Sequence, residues 1–229
     1  MHAVEIRREI VDRVVARRGR YHLFDRLDPR RTALAVIDMQ STFCQPGAPA
    51  EVPASRGIVG EINRLTAALR ALDVPVIWIL NANTTRRGRS DWEGFFNHFV
   101  ADEVRARTLE SLAPERQAVW PELLVAPGDI TIVKNRYSAL IPGASPLERI
   151  LRSLGIDTIL IGGTKTNVCC ESTARDAMMM DFNVVMLSDC CAALSDEEHR
   201  ATLEVVIQQF GDVMTGDEAV ALLKKIPNR

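Results

Sequence analysis

Residues 158–176 read TILIGGTKTNVCCESTARD, and the reading of this stretch decides the fold. A run of β-preferring residues, Thr158–Ile161, closes on Gly162-Gly163. A short polar loop follows, and from Val168 onward the pattern is that of a helix. A thiol at the point where a buried strand turns into a helix is well placed for chemistry. The unpaired N–H groups and positive end of the helix dipole lower a thiol's pKa and hold a developing oxyanion. The other reading of Cys169 and Cys170 is a pair of small buried side chains, since free cysteine packs as a small hydrophobe.

Outward from this stretch, strand-like and helix-like segments alternate. Thr32–Ile37 (TALAVI) is nearly continuous in apolar residues, as a parallel strand buried on both faces requires, and it ends at Asp38. A carboxylate there costs free energy unless a partner holds it, so Asp38 is either a cap for the next loop or a catalytic group. Ile58, Ile62, Leu65, Leu69 and Leu72 recur in steps of four and three, giving an amphipathic helix. Val74–Leu80 reads as a second buried strand with Asn81 at its end, where open α/β sheets place ligand contacts. Ile130–Val133 is a strand ending at Lys134; a lysine there is either an exposed strand end or a cation beside the nucleophile. Leu147, Ile150, Leu151 and Leu154 mark the next helix. Strand Val184–Leu187, helix Glu197–Phe210, a short strand at Val213-Met214 and a helix over Asp217–Lys225 complete the chain.

This alternation predicts a three-layer α/β/α fold, doubly wound and Rossmann-like, around a parallel sheet of about six strands. Asp38, Lys134 and Cys169 then fall together along the C-terminal edge of the sheet. Residues 1–29 are set apart as a helical extension, leaving 30–229 as one domain. Val4, Ile6, Ile10, Val14 and Val15 need a cover on so short an appendage, so the extension is expected to act as an oligomer arm in a homo-oligomer, a dimer or a tetramer.

Composition bounds the rest. The 229 residues are 47% hydrophobic and 25% charged, ordinary values for a globular protein, and the net charge of -2 gives no reason to expect nucleic acid or an anionic membrane as partner. No apolar run approaches the roughly 18 residues of a membrane span, and MHAVEIRREIVDRVV lacks the apolar core of a signal peptide. Five cysteines with no CxxC spacing make no disulfide framework. A reduced, cytoplasmic protein acting on a small molecule is the expectation.

VIDMQSTF at 36–43, IVKNRYSAL around Lys134 and GTKTNVCCESTARDA, in this order and spacing, resemble the isochorismatase-like cysteine hydrolase family over about residues 31–223. The segment around Tyr137 is most similar to the ureidoacrylate and N-carbamoyl amidohydrolases of that family. The resemblance implies a catalytic triad of Asp38, Lys134 and Cys169. It also implies an oxyanion hole formed by the N–H groups of Cys169 and Lys165, with the Thr164–Lys165 peptide cis. Some members carry an Asp and several His after the second strand that bind a metal. Here Asn81 and Asn83 stand there with His98 as the only nearby histidine, so no metal and no cofactor are expected.

The expected activity is hydrolysis of a C–N bond in a small amide, ureido or carbamoyl compound. A cysteinyl acyl-enzyme would form, with Asp38 as base and Lys134 holding both anions in their ionised form. Asn81, Trp92 and Tyr137 are the candidate substrate contacts, with Arg86 and Arg89 to grip a substrate carboxylate. The alternatives are a vinyl-ether hydrolase of the isochorismatase type and a catalytically silent interaction module of the same fold.

Overall fold

The computed structural model describes residues 2–226. Six parallel strands form the central sheet: β1 (Thr32–Ile37), β2 (Val76–Asn81), β5 (Ile130–Lys134), β6 (Thr158–Thr164), β7 (Asn183–Ala192) and β8 (Asp212–Met214). Their order in space is β5-β2-β1-β6-β7-β8. A two-residue hairpin, β3 (Thr85–Arg86) and β4 (Arg89–Ser90), stands apart from it. The helices are α1 (Arg8–Arg18), α2 (Ser41–Cys44), α3 (Val59–Arg70), α4 (Glu93–His98), α5 (Asp102–Ser111), α6 (Leu147–Ser153), α7 (Glu171–Met179), α8 (Asp196–Gln209) and α9 (Gly216–Leu223).

The strand alternation sorts side chains onto two faces. Ala33, Ala35 and Ile37 of β1 pack with Ile159 and Ile161 of β6 against α6, α7 and α8. Leu34 and Val36 pack with Trp78 and Leu160 against α3 and α9 on the other face. Every residue of β1, β2 and β6 is buried, as their unbroken apolar runs require. These two cores and the sheet between them make the expected α/β/α sandwich.

From β1 the chain winds outward to β2 and β5, and from β6 it winds the other way to β7 and β8. The winding therefore reverses between β1 and β6, and open α/β sheets bind ligands at the crevice outside such a switch point. Asp38 leaves β1 on one side of that crevice and the Cys169 turn leaves β6 on the other. Gly163 lets the two approach: its φ is +115°, and a Cβ there would lie 2.0 Å from the Ile37 carbonyl oxygen.

The N-terminal helix corrects one expectation. Ile10 and Val14 are buried in the chain's own core beside α8, and Arg7 makes a two-nitrogen fork on Glu204 of that helix, at 2.6 Å for the closer Nη2 contact. Ile10 and Val14 are thus covered within the chain, Val4 and Ile6 partly so, while Val15 stays exposed.

Candidate active site

Strand register brings the three triad candidates together. Asn81 pairs with Lys134 across β2 and β5, and Ile37 pairs with Gly163 across β1 and β6. The residues just beyond these pairs line one edge. Lys134 points inward because β5 alternates, with Ile132 and Lys134 buried and Thr131 and Val133 exposed. Its Nζ donates to Asp38 Oδ2 at 2.8 Å and to the Arg136 carbonyl at 3.0 Å. Asp38 adopts φ 56°, a left-handed turn that ends β1, while its N–H still donates to the Ile79 carbonyl at 2.8 Å. Gln40 ties the ends of β1 and β2 by exchanging side-chain hydrogen bonds with the Asn81 backbone, at 2.9 and 2.6 Å.

Cys169 sits in a π-helical turn, Thr166–Cys170, that precedes α7, rather than in the α-helix itself. Asp38 and Lys134 are the two charged side chains that act on its thiol. Cys170 points elsewhere: it is buried against Cys191 and the Gly162 carbonyl. The peptide between Thr164 and Lys165 is cis. Among the described residues the Lys165 N–H donates to no backbone carbonyl, whereas the Lys165 carbonyl accepts from Val168 and Cys170.

Electrostatics in the triad follow from burial. Desolvation pushes the Cys169 thiol well above its ordinary range, the negative charge of Asp38 adds to it, and Lys134 opposes it. This overturns the expectation of a thiol lowered by the helix end and the lysine: burial outweighs both. Burial also raises Asp38, against the pull of Lys134 and the Cys169 hydrogen bond. Lys134 is lowered by desolvation, but the charges of Asp38 and Cys169 outweigh this and leave the ammonium above its ordinary value. Burial thus favours the protonated thiol, and the ammonium of Lys134 lies 2.8 Å from Asp38. Asp38 Oδ1 is buried without a conventional donor, so the carboxylate has an oxygen free to take a proton.

Beside Cys169 opens a cavity of about 120 Å³. Asn81, Trp92, Tyr137 and Lys165 line it, as the sequence reading expects. Trp92 meets Tyr137 edge-on at 4.7 Å and stacks on Phe95 at 4.8 Å, so these aromatics form one wall. Burial lifts the Tyr137 hydroxyl to a pKa of about 12. Arg86 and Arg89 do not reach this cavity: both are exposed on the β3–β4 hairpin, and Arg89 faces Glu93. The charged residue that does line the cavity is Lys165.

Two residues take on more weight than their sequence context gave them. Asn83 lines the cavity; its amide nitrogen is held by Asp91 at 2.7 Å, and its Oδ1 is buried without a partner. Asn81 Oδ1 is likewise buried and unpartnered. Two unsatisfied carbonyl oxygens beside a nucleophile are acceptors ready for N–H donors of a ligand. Among the described residues no three His, Cys, Asp or Glu side chains gather in a set suited to a metal ion. No helix among them is long and apolar enough to cross a membrane.

A six-stranded parallel sheet flanked by helices, with its crevice at the β1–β6 switch point, is the fold of the isochorismatase-like hydrolases. The family model for the isochorismatase domain matches residues 32–218, and the chain belongs to this hydrolase family. It is 30% identical over 218 residues to the ureidoacrylate amidohydrolase RutB of Methylobacterium radiotolerans, covering 88% of this chain and 84% of that one. Among solved structures it resembles a cysteine hydrolase from Pseudomonas syringae pv. phaseolicola, with 30% identity and a TM-score of 0.73 over 87% of this chain and 95% of the other. An isochorismatase-like hydrolase from Alkaliphilus metalliredigens is 27% identical, with a TM-score of 0.70 over 83% and 98%.

Proposed function

We propose that the protein is an amidohydrolase that cleaves a C–N bond of a small amide, ureido or carbamoyl compound with Cys169 as nucleophile. The observation that carries this reading is the sealed trio itself. A buried Asp38 keeps one oxygen free of donors while Lys134 holds the other at 2.8 Å, beside a thiol that rests protonated. The Asp38 carboxylate takes the Sγ–H proton as Cys169 Sγ attacks the carbonyl carbon. Burial makes Asp38 a stronger base than an exposed aspartate, and Lys134 screens the negative charge that shifts from carboxylate to sulfur.

The tetrahedral oxyanion accepts hydrogen bonds from the N–H groups of Lys165 and Cys169. Asp38 then gives its proton to the departing nitrogen, the C–N bond breaks, and ammonia or an amine leaves a thioester on Cys169. Water, deprotonated by Asp38, attacks that thioester, and the sulfur leaves and recovers its proton. The acceptor pair Asn81 Oδ1 and Asn83 Oδ1 suits a substrate rich in N–H donors, as a ureido or carbamoyl group is. Lys165 in the lining suits a substrate that also carries a carboxylate. The likeness to the ureidoacrylate amidohydrolase supports the same substrate class.

Ammonia release from a panel of small amides, ureido acids and carbamoyl compounds tests the reading. Turnover of ureido or carbamoyl acids ahead of simple apolar amides is expected. A protein that releases ammonia from none of them, yet cleaves a vinyl ether, contradicts it.

A further inference from the structure

The turn that carries Cys169 is held from outside the cavity by a chain of histidines. Thr164 Oγ1 donates to the Ala192 carbonyl at 3.2 Å, and Thr166 Oγ1 lies 2.9 Å from Nδ1 of His199, in the first turn of α8. Thr166 is wholly buried and His199 is 1% exposed. The Thr166 contact is the hydrogen bond that the His199 ring makes among the described residues. Burial keeps the ring neutral near pH 7, with its pKa held down to about 4. A neutral ring has one N–H and one bare nitrogen, so Nδ1 can pair with the Thr166 hydroxyl as acceptor or as donor.

The N-terminal extension completes this arrangement. The His2 ring stacks on His199 at 4.5 Å and 18°. The Ala193 N–H donates to His2 Nε2 at 2.9 Å, so the proton sits on Nδ1 and is given to Asp196 at 2.6 Å. His2 is thereby fixed through both ring nitrogens and closes the outer face of His199.

We propose that His199 is a positioning residue: through Thr166 it fixes the turn from Lys165 to Cys169, and His2 from the N-terminal extension holds it in place. Thr166 is bonded directly to Lys165, whose N–H is aimed by this turn, and Thr166 itself opens the turn that ends in the two cysteines. The chain has no other side-chain hydrogen bond on Thr166 among the described residues. Losing it frees the turn without removing any group that touches substrate. The inference rests on the oxyanion site proposed above.

A probe that needs no turnover tests it. Iodoacetamide alkylation of Cys169, located by peptide mass, is followed with and without propionaldehyde, which adds to the thiol as a hemithioacetal whose oxygen occupies the oxyanion site. In Thr166→Val and His199→Leu, propionaldehyde protects about tenfold less well, while alkylation without it stays within about twofold of wild type. His199→Gln, whose amide can pair with the Thr166 hydroxyl in either direction, restores protection, and His2→Ala falls between. The Thr166→Val/His199→Leu double variant is no worse than His199→Leu alone, because both substitutions remove the same Thr166–His199 hydrogen bond. Undiminished protection in folded Thr166→Val overturns the proposal, as does a double variant whose losses multiply. If propionaldehyde protects Cys169 in none of the proteins, wild type included, the oxyanion site itself is misassigned and the inference falls with it.

Discussion

Lys134 Nζ lies 2.8 Å from Asp38 Oδ2, and neither side chain has any exposure to solvent. Removing one partner of such a pair leaves the other charge buried alone. Lys134→Met is expected to lower stability by about 3–5 kcal/mol and ammonia release by more than about a hundredfold. Adding Asp38→Asn removes the orphaned charge, so the double variant regains much of the stability and none of the activity. Urea unfolding and turnover on the four proteins check this. A double variant no more stable than Lys134→Met would show that the pair is not coupled as described.

Cys170 separates the two thiols by role. It is buried away from the cavity against the Gly162 carbonyl, whereas Cys169 lines the cavity. Cys170→Ala is expected to cost on the order of 1 kcal/mol and to retain most turnover. Loss of turnover in folded Cys170→Ala, comparable to that in Cys169→Ala, would move the nucleophile by one residue.

Lys165 lines the cavity and the hairpin arginines do not, so a carboxylate on the proposed substrate would meet Lys165. Arg86→Ala and Arg89→Ala are expected to leave kcat/KM within about twofold, since both side chains are exposed outside the cavity. Lys165→Met is expected to raise KM about 10–100-fold for an acid-bearing substrate and little for its neutral amide counterpart. Kinetics on matched acid and amide pairs decide it. Equal losses on both members of a pair would remove Lys165 as the carboxylate contact.

His199 predicts a pH dependence of stability. Burial, with His2 adding to it, holds its pKa at about 4 against an ordinary 6.5. Within that window the unfolded chain binds a proton that the folded chain refuses, so stability rises with pH. The contribution is complete above pH 6.5 and is lost as pH falls toward 4, on the order of 3 kcal/mol at most. His199→Gln carries no titrating ring, and its stability is expected to fall less steeply over the same range. Parallel slopes for the two proteins in urea unfolding at several pH values would contradict a neutral, buried His199.

Much of the fold was legible because buried parallel strands write themselves as unbroken apolar runs, as in TALAVI and TILIGG, and because polar residues at their ends stand out. Asp38, Lys134 and Cys169 were visible for that reason. Arg86 and Arg89 were misplaced because a polar segment reads alike whether it borders a cavity or faces water. The thiol's pKa went the other way because helix ends are visible in sequence and the depth of burial is not. His199, within DEEHRATLEVV, reads as one more residue of a charged surface helix. Only the approach of Thr166 and of His2, 197 positions away in the chain, buries it. Ile10 and Val14 looked uncovered because their cover, α8, lies at the far end of the sequence.

The central claim is that Cys169 Sγ breaks the C–N bond. The most direct measurement is ammonia release by wild type and by Cys169→Ala on the best substrate of the ureido, carbamoyl and amide panel, with folding of both checked by circular dichroism. The account predicts turnover by wild type and a loss of at least about a thousandfold in the variant. A folded Cys169→Ala that releases ammonia at the wild-type rate would contradict it.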